Sequence, residues 1–126
     1  ELENRSNPEF VRYNAVSSLK DTTADALLIY SNNDNLCKKD PHYDLLFENL
    51  KDKPNIKFLL VNNKGHNPNY TEDAVKYLGE YIKKKNKLSK KLKTKEEKEK
   101  FVASFDWNKM TEQDPIIWDT IINHLK

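Results

Sequence analysis

Two short apolar runs that each end in a polar loop most constrain how this chain can fold. The first run covers residues 26 to 30 and the second covers residues 56 to 61. Both are shorter than an average helix and both stop at turn residues, which favours buried β-strands. Between them, residues 41 to 51 carry apolar side chains at three- and four-residue spacing, which predicts a helix that begins after Asp40-Pro41. The order strand, helix, strand predicts an α/β fold with a parallel βαβ unit.

One residue of catalytic type lies in the loop after each predicted strand. Asp34 follows the first strand, and His66 follows the second, directly after Gly65. A right-handed crossover between parallel strands brings both strand ends to one edge of the sheet, where sites in such sheets are built. Taken alone, Asp34 is a typical turn-forming residue and His66 a typical exposed loop residue. Together, their placement predicts that the two side chains lie close to each other.

The succession Ser31-x-x-Asp34, helix, strand, Gly65-His66 resembles the closing part of the α/β-hydrolase fold. The resemblance covers residues 26 to 85. In that family the acid of the Ser/Asp/His triad follows a late strand, and the base follows the last strand. The resemblance therefore implies that Asp34 is the triad acid and His66 the base. The nucleophile of the family lies on an earlier strand, in a Gly-x-Ser-x-Gly turn.

That nucleophile turn is not present in this sequence. The chain has two glycines, Gly65 and Gly79, and neither stands two residues from a serine. Ser31 also occupies a position where the family usually has glycine. We therefore expect the chain to be the carboxy-terminal portion of a serine hydrolase of esterase or lipase type, inactive by itself, with the nucleophile upstream. The low hydrophobic content of 37% fits, because the missing strands would supply most of the core.

Three segments are predicted from the order of these features. Residues 1 to 25 form a helix and linker from a cap or a crossover, with Asn7 as helix cap and Pro8 at the first helical position. Residues 26 to 85 form the last βαβα part of a hydrolase domain. Residues 86 to 126 form a charged helical extension with an apolar terminal helix.

Helix caps divide the second half of the chain. Thr71 is expected to cap a helix that runs to about residue 85, and the spacing of Thr94 and Glu97 is that of a capping box. Asp114-Pro115 predicts the start of the last helix. The lysine-rich run over residues 83 to 100 contains glutamates and no arginine, which favours a solvated helical face over a nucleic-acid-binding patch.

The sequence shows no pattern that predicts a cofactor, a metal site or a membrane-spanning segment. Cys37 is best explained as a buried or loop thiol and His42 as a surface residue near the Asp34 edge. A single cysteine is typical of a reducing compartment, so cytoplasm is the expected location. The expected ligand is a small-molecule acyl substrate. The alternative function is a non-enzymatic α/β interaction module in which Asp34 and His66 are incidental.

Self-association is the first testable prediction. If the strand over residues 26 to 30 is an exposed sheet edge, its unpaired backbone groups will tend to pair with a second copy of the chain. We expect the isolated chain to form dimers or larger species whose proportion rises with concentration. Light scattering over a concentration series measures this, and a monomer at the highest concentration would contradict it.

Overall fold

The computed structural model of the chain describes residues 14 to 126. Its elements in chain order are α1 (Ala15–Asp21), β1 (Ala26–Ser31), a π-helical turn (Lys39–Tyr43), α2 (Asp44–Leu50), β2 (Ile56–Val61), α3 (Glu72–Leu88), α4 (Lys95–Ala103), α5 (Trp107–Met110) and α6 (Pro115–Leu125). The structure is therefore of mixed α/β class, as the sequence predicts.

The two strands form a parallel sheet. Ala26 of β1 is opposite Ile56 of β2, and the register continues without a break to the pair Ser31 and Val61. The π-helical turn and α2 make the crossover between the strands. The predicted βαβ unit is confirmed, and the loops after β1 and β2 leave the sheet at the same edge.

The crossover helix begins at the predicted Asp40-Pro41 step. Asp40 has φ −98° and ψ 123°, which are not helical angles, and the regular helix α2 starts at Asp44. A residue that precedes proline is sterically disfavoured in the α region, so the helix cannot run through Asp40 into Pro41. Asp40 is extended, as a cap is, and the helical residues begin at Pro41 and continue into α2, so the helix start predicted at Asp40-Pro41 is confirmed.

A small core holds α2 against the sheet. Leu46, Leu50 and Ile56 are its buried residues. The partly buried apolar residues packed around them are Val16, Leu19, Ala26, Leu28, Tyr30 and Phe58. Val16 and Leu19 belong to α1, so the helix before β1 packs on the same core.

The start of α1 corrects the prediction for the amino-terminal segment. Asn14 is extended, with φ −116° and ψ 164°, and it shares a capping box with Ser17. The apolar pattern predicts one helix from Pro8 to Leu19, which is wrong as a continuous helix because Asn14 is extended and caps α1. The cap predicted at Asn7 and Pro8 lies outside the described residues.

The helices after the sheet begin where their caps predict. The Thr71 side chain accepts the N–H of Ala74, and Thr94 and Glu97 form the predicted capping box. An aromatic cluster joins α3 to the later helices. Its neighbouring ring centroids are 4.9 to 6.0 Å apart. Its members are Tyr77, Tyr81, Phe101, Phe105 and Trp107. The apolar residues predict that the helix capped by Thr94 runs on through Phe105, but α4 ends at Ala103.

The terminal helix α6 buries only part of its apolar surface. Ile117 is 5% exposed, whereas Ile116 and Leu125 are 73% and 78% exposed. The expectation that α6 docks on the domain body thus holds for the Ile117 side of the helix. Across residues 14 to 126, no helix combines the length and the apolar character needed to cross a membrane.

Candidate active site

Asp34 lies in the loop after β1, and backbone N–H groups of that loop hold its side chain in place. Its Oδ1 atom accepts hydrogen bonds from the N–H groups of Leu36, at 2.8 Å, and Cys37, at 3.0 Å. Only 7% of its side chain is exposed. Asp34 is therefore the turn-forming residue that its surroundings in the sequence suggest, and the turn leaves Oδ2 pointing away from these two donors.

The second carboxylate oxygen of Asp34 contacts His66. The Oδ2 atom lies 2.9 Å from Nδ1 of His66, whose side chain is 52% exposed. An ionised carboxylate only accepts hydrogen bonds, so Nδ1 carries the proton and Nε2 keeps its lone pair. Within residues 14 to 126, Nε2 has no hydrogen-bond partner. The pair predicted from topology is thus in contact, with the basic nitrogen facing solvent.

Asp34 stays ionised despite its burial. Burial by itself raises the pKa of the carboxyl, but the hydrogen bond from His66 and those from two backbone N–H groups favour the charged form more strongly. The net effect places the pKa of Asp34 below its ordinary value of 3.8. At neutral pH the carboxylate can therefore orient the imidazole and stabilise its protonated form.

A set of hydrogen bonds joins the loop of Asp34 to the loop of His66. The Ser31 hydroxyl donates to Asn33 Oδ1 at 2.8 Å and accepts the N–H of Lys64 at 3.0 Å. The same Oδ1 of Asn33 accepts the N–H of Gly65 at 2.9 Å. Ser31 is 1% exposed and its bond with Lys64 is buried, whereas the bond between Asn33 and Gly65 is exposed. They fix the distance between the two loops, and hence between Asp34 and His66.

Two residues of the His66 loop adopt left-handed backbone angles. Asn63 has φ 60° and Gly65 has φ 56°. Asparagine and glycine are the residues that accept this region most readily. The N–H of Asn63 also donates to the Asn32 side chain at 3.1 Å, which anchors the loop to the end of β1. The glycine before His66 is thus required by the backbone turn that presents the histidine.

Lys64 connects the His66 loop to the carboxy-terminal extension. It is buried, and its Nζ atom donates to the carbonyl of Tyr70 at 2.8 Å and to Oδ2 of Asp114 at 2.6 Å. The two charged side chains are only 8% and 16% exposed. The Lys64 hydrogen bond, together with two backbone N–H groups, outweighs burial and holds the pKa of Asp114 below its usual value.

Backbone pairing reinforces that connection. The N–H of Asp114 donates to the carbonyl of Asn69 at 2.8 Å, and the N–H of Thr71 donates to the carbonyl of Glu112 at 3.0 Å. Between them, Tyr70 and Gln113 form an isolated antiparallel bridge. The extension over residues 86 to 126 is therefore docked on the segment that directly follows His66.

Cys37 is a third reactive side chain at this site. It is an exposed free thiol on the Asp34 loop, and its sulfur, an Asp34 oxygen and a His66 nitrogen all lie within 4.8 Å of one another. The sequence prediction of a loop thiol is correct. Its proximity to Asp34 and His66 was not predicted.

The other histidines lie away from this pair. His42 is exposed in the π-helical turn and lines a cleft between α1 and α2 with Tyr30 and Leu45. His124 is near the end of α6, where its Nδ1 atom is buried without a hydrogen-bond partner among the described residues. Neither belongs to the Asp34 and His66 cluster.

Within residues 14 to 126, no serine hydroxyl hydrogen-bonds to His66. The Ser31 hydroxyl bridges the two loops, Ser17 belongs to the cap of α1, and Ser104 donates to the carbonyl of Phe101. Among residues 14 to 126, no serine is therefore in hydrogen-bond contact with the His66 ring.

Comparisons of this chain with protein-family models, with curated proteins and with solved structures found no match. The chemistry of the site has to be inferred from its own geometry. Three features define it: a buried carboxylate, an imidazole oriented by that carboxylate, and a free basic nitrogen at the carboxyl edge of two parallel strands.

Proposed function

We propose that this chain supplies the acid and the base of a serine hydrolase that acts on esters or related acyl compounds. The observation that carries the proposal is the 2.9 Å contact between Asp34 Oδ2 and His66 Nδ1 at the edge of the parallel sheet. Asp34 holds the ring in the tautomer whose Nε2 can accept a proton. A serine hydroxyl from another segment gives up its proton to Nε2 as it attacks the acyl carbon, and His66 later donates that proton to the leaving group.

The exposure of the two residues supports a division of roles. The side chain of Asp34 is 7% exposed and has both oxygens occupied, so it is suited to orientation and charge stabilisation. His66 is half exposed, with Nε2 on the open side. A general base needs direct access to the proton it removes, and only His66 of the two has that access.

The incomplete sheet supports a nucleophile from additional strands. Parallel sheets are normally covered on both faces, yet most residues of β1 and β2 are only partly buried. Within residues 14 to 126, each strand pairs with the other and with no third strand. Further strands beside β1 would pair with its free backbone groups and bring a nucleophile turn to the same edge, and their crossover helices would cover these side chains. In the chain as described, the same open edge favours pairing between copies.

The nature of the nucleophile can be tested by covalent labelling. We expect the product of the complete reading frame to react with a fluorophosphonate probe at one serine, in a Gly-x-Ser-x-Gly context outside residues 14 to 126. Mass spectrometry of the digested adduct locates that serine. Heat-denatured protein is the control, because an unfolded serine is not activated.

Two outcomes would count against the proposal. Absence of labelling in the folded protein removes the activated serine, and labelling at a serine within residues 14 to 126 contradicts its assignment to another segment. The first outcome favours the non-enzymatic alternative. One observation supports that alternative already: α6 exposes apolar side chains, among them Ile116 and Leu125, that an interaction partner could cover.

A further inference from the structure

We propose that Asp34, Cys37 and His66 form a binding site for a divalent transition-metal ion of the zinc type. The three residues offer one carboxylate oxygen, one sulfur and one imidazole nitrogen, and these atoms all lie within 4.8 Å of one another. Two of the residues come from the loop after β1 and the third from the loop after β2. The site thus joins the two loops that the hydrogen bonds of Ser31 already hold together.

The distances are close to those that a tetrahedral ion needs. Ligand atoms at normal zinc bond lengths are about 3.3 to 3.7 Å from one another. The oxygen of Asp34 and the nitrogen of His66 are already 2.9 Å apart. The sulfur of Cys37 lies within 4.8 Å of both, and its side chain is exposed, so a change of rotamer can bring it to bonding distance.

The Asp34 loop also provides the support that metal ligands require. A ligating carboxylate is usually held by further hydrogen bonds, which orient it toward the ion. Oδ1 of Asp34 accepts two backbone N–H groups, so an ion bound at Oδ2 would replace only the hydrogen bond between Oδ2 and His66. One of those N–H groups belongs to Cys37 itself, so the turn that fixes the carboxylate also fixes the backbone of the thiol.

The ligand types select the ion. Thiolate and imidazole ligands suit zinc and similar ions, whereas magnesium and calcium prefer sites built from oxygen. Three protein ligands leave a fourth position for water, as in zinc sites with an open coordination position. Binding displaces the thiol proton of Cys37 to the solvent and moves the ring proton of His66 from Nδ1 to Nε2.

This inference does not depend on the proposed hydrolase function. Zinc binding is measured on the chain without an acyl substrate or a serine nucleophile. The ion and the acid–base pair do use the same two groups, so His66 cannot act as a base oriented by Asp34 while the ion is bound.

Calorimetric titration of the reduced chain with zinc chloride tests the site. We expect one ion per chain, with affinity at least ten times weaker in Cys37→Ser and unchanged in His42→Ala. Titration with cobalt(II) gives an independent readout, because a thiolate ligand produces a charge-transfer absorption band. We expect that band in the wild type and in His42→Ala, and its absence in Cys37→Ser.

The controls separate the proposed site from adventitious binding. Cys37 is exposed, so the serine variant should keep the circular dichroism spectrum of the wild type. Equal zinc affinity in wild type and Cys37→Ser, or no binding by the wild type at millimolar zinc, would overturn the proposal. Equal weakening in Cys37→Ser and His42→Ala would overturn it as well. A failure of fluorophosphonate labelling has no bearing on any of these results.

Discussion

Replacing His66 by alanine is expected to lower the rate of fluorophosphonate labelling of the complete protein by about 10⁴- to 10⁶-fold. The reason is that a serine hydroxyl is a weak nucleophile until a base removes its proton. In this structure the Asp34 carboxylate contacts Nδ1 of the His66 ring, and in the proposed mechanism Nε2 takes the serine proton. Alanine leaves the serine without a proton acceptor, while the probe-binding surface stays in place.

His42→Ala is the matched control for this measurement. His42 is also exposed and lies in the crossover between the same two strands, but it belongs to no cluster with Asp34. We expect its labelling rate to equal that of the wild type. The side chain of His66 is 52% exposed, so its loss should leave the fold intact. Labelling of His66→Ala at the wild-type rate would show that another group serves the nucleophile.

The proximity of the Asp34 loop to the His66 loop could be predicted because the topology determines it. Two apolar runs with a helical segment between them give a parallel βαβ unit, and parallel strands that are neighbours place their following loops side by side. The strand bounds agree with the prediction to within one residue. No information about side-chain conformation was needed for this part of the site.

The supporting contacts could not be predicted, because they depend on side-chain positions and on distant segments. Lys64 and Asp114 are 50 residues apart, and no periodic pattern links them. Asp114 was correctly predicted as a helix cap, but a cap uses one carboxylate oxygen and leaves the second free for any partner. The position of Cys37 beside His66 likewise follows from how the Asp34 turn folds back.

Ser31 shows how a departure from a family pattern can have a structural role. The family resemblance suggests glycine at this position, which allows a flexible turn. Here the hydroxyl of Ser31 instead bridges Asn33 and the N–H of Lys64, so the side chain joins the two loops. A signal was present in the sequence, since serine and asparagine side chains often bond to the backbone in turns. That signal does not show that the backbone partner of Ser31 is Lys64, in the loop after β2.

Loss of the Asp114 carboxyl is expected to destabilise the folded chain by about 2 to 4 kcal/mol in Asp114→Ala. Two effects add. The variant removes the acceptor that caps α6 at the N–H of Ile116, and it leaves the buried ammonium group of Lys64 without its anion. Urea unfolding followed by circular dichroism measures the difference. Asp119→Ala on the exposed side of the same helix is the matched control, with an expected change below about 0.5 kcal/mol.

Asp114→Asn separates the ion pair from the cap and predicts a pH dependence. Asparagine still caps a helix well. We therefore expect Asp114→Asn to be less stable than the wild type at neutral pH only because the charge pair with Lys64 is lost. The pKa of Asp114 lies below 3.8 in the folded chain, so the folded state keeps the carboxylate ionised to a lower pH than the unfolded state. The stabilisation is therefore complete above that value and is lost as the pH falls through the folded-state pKa. The stability difference between wild type and Asp114→Asn should shrink over that range, and equal stabilities at neutral pH would show that the buried pair contributes nothing to holding the extension on the His66 loop.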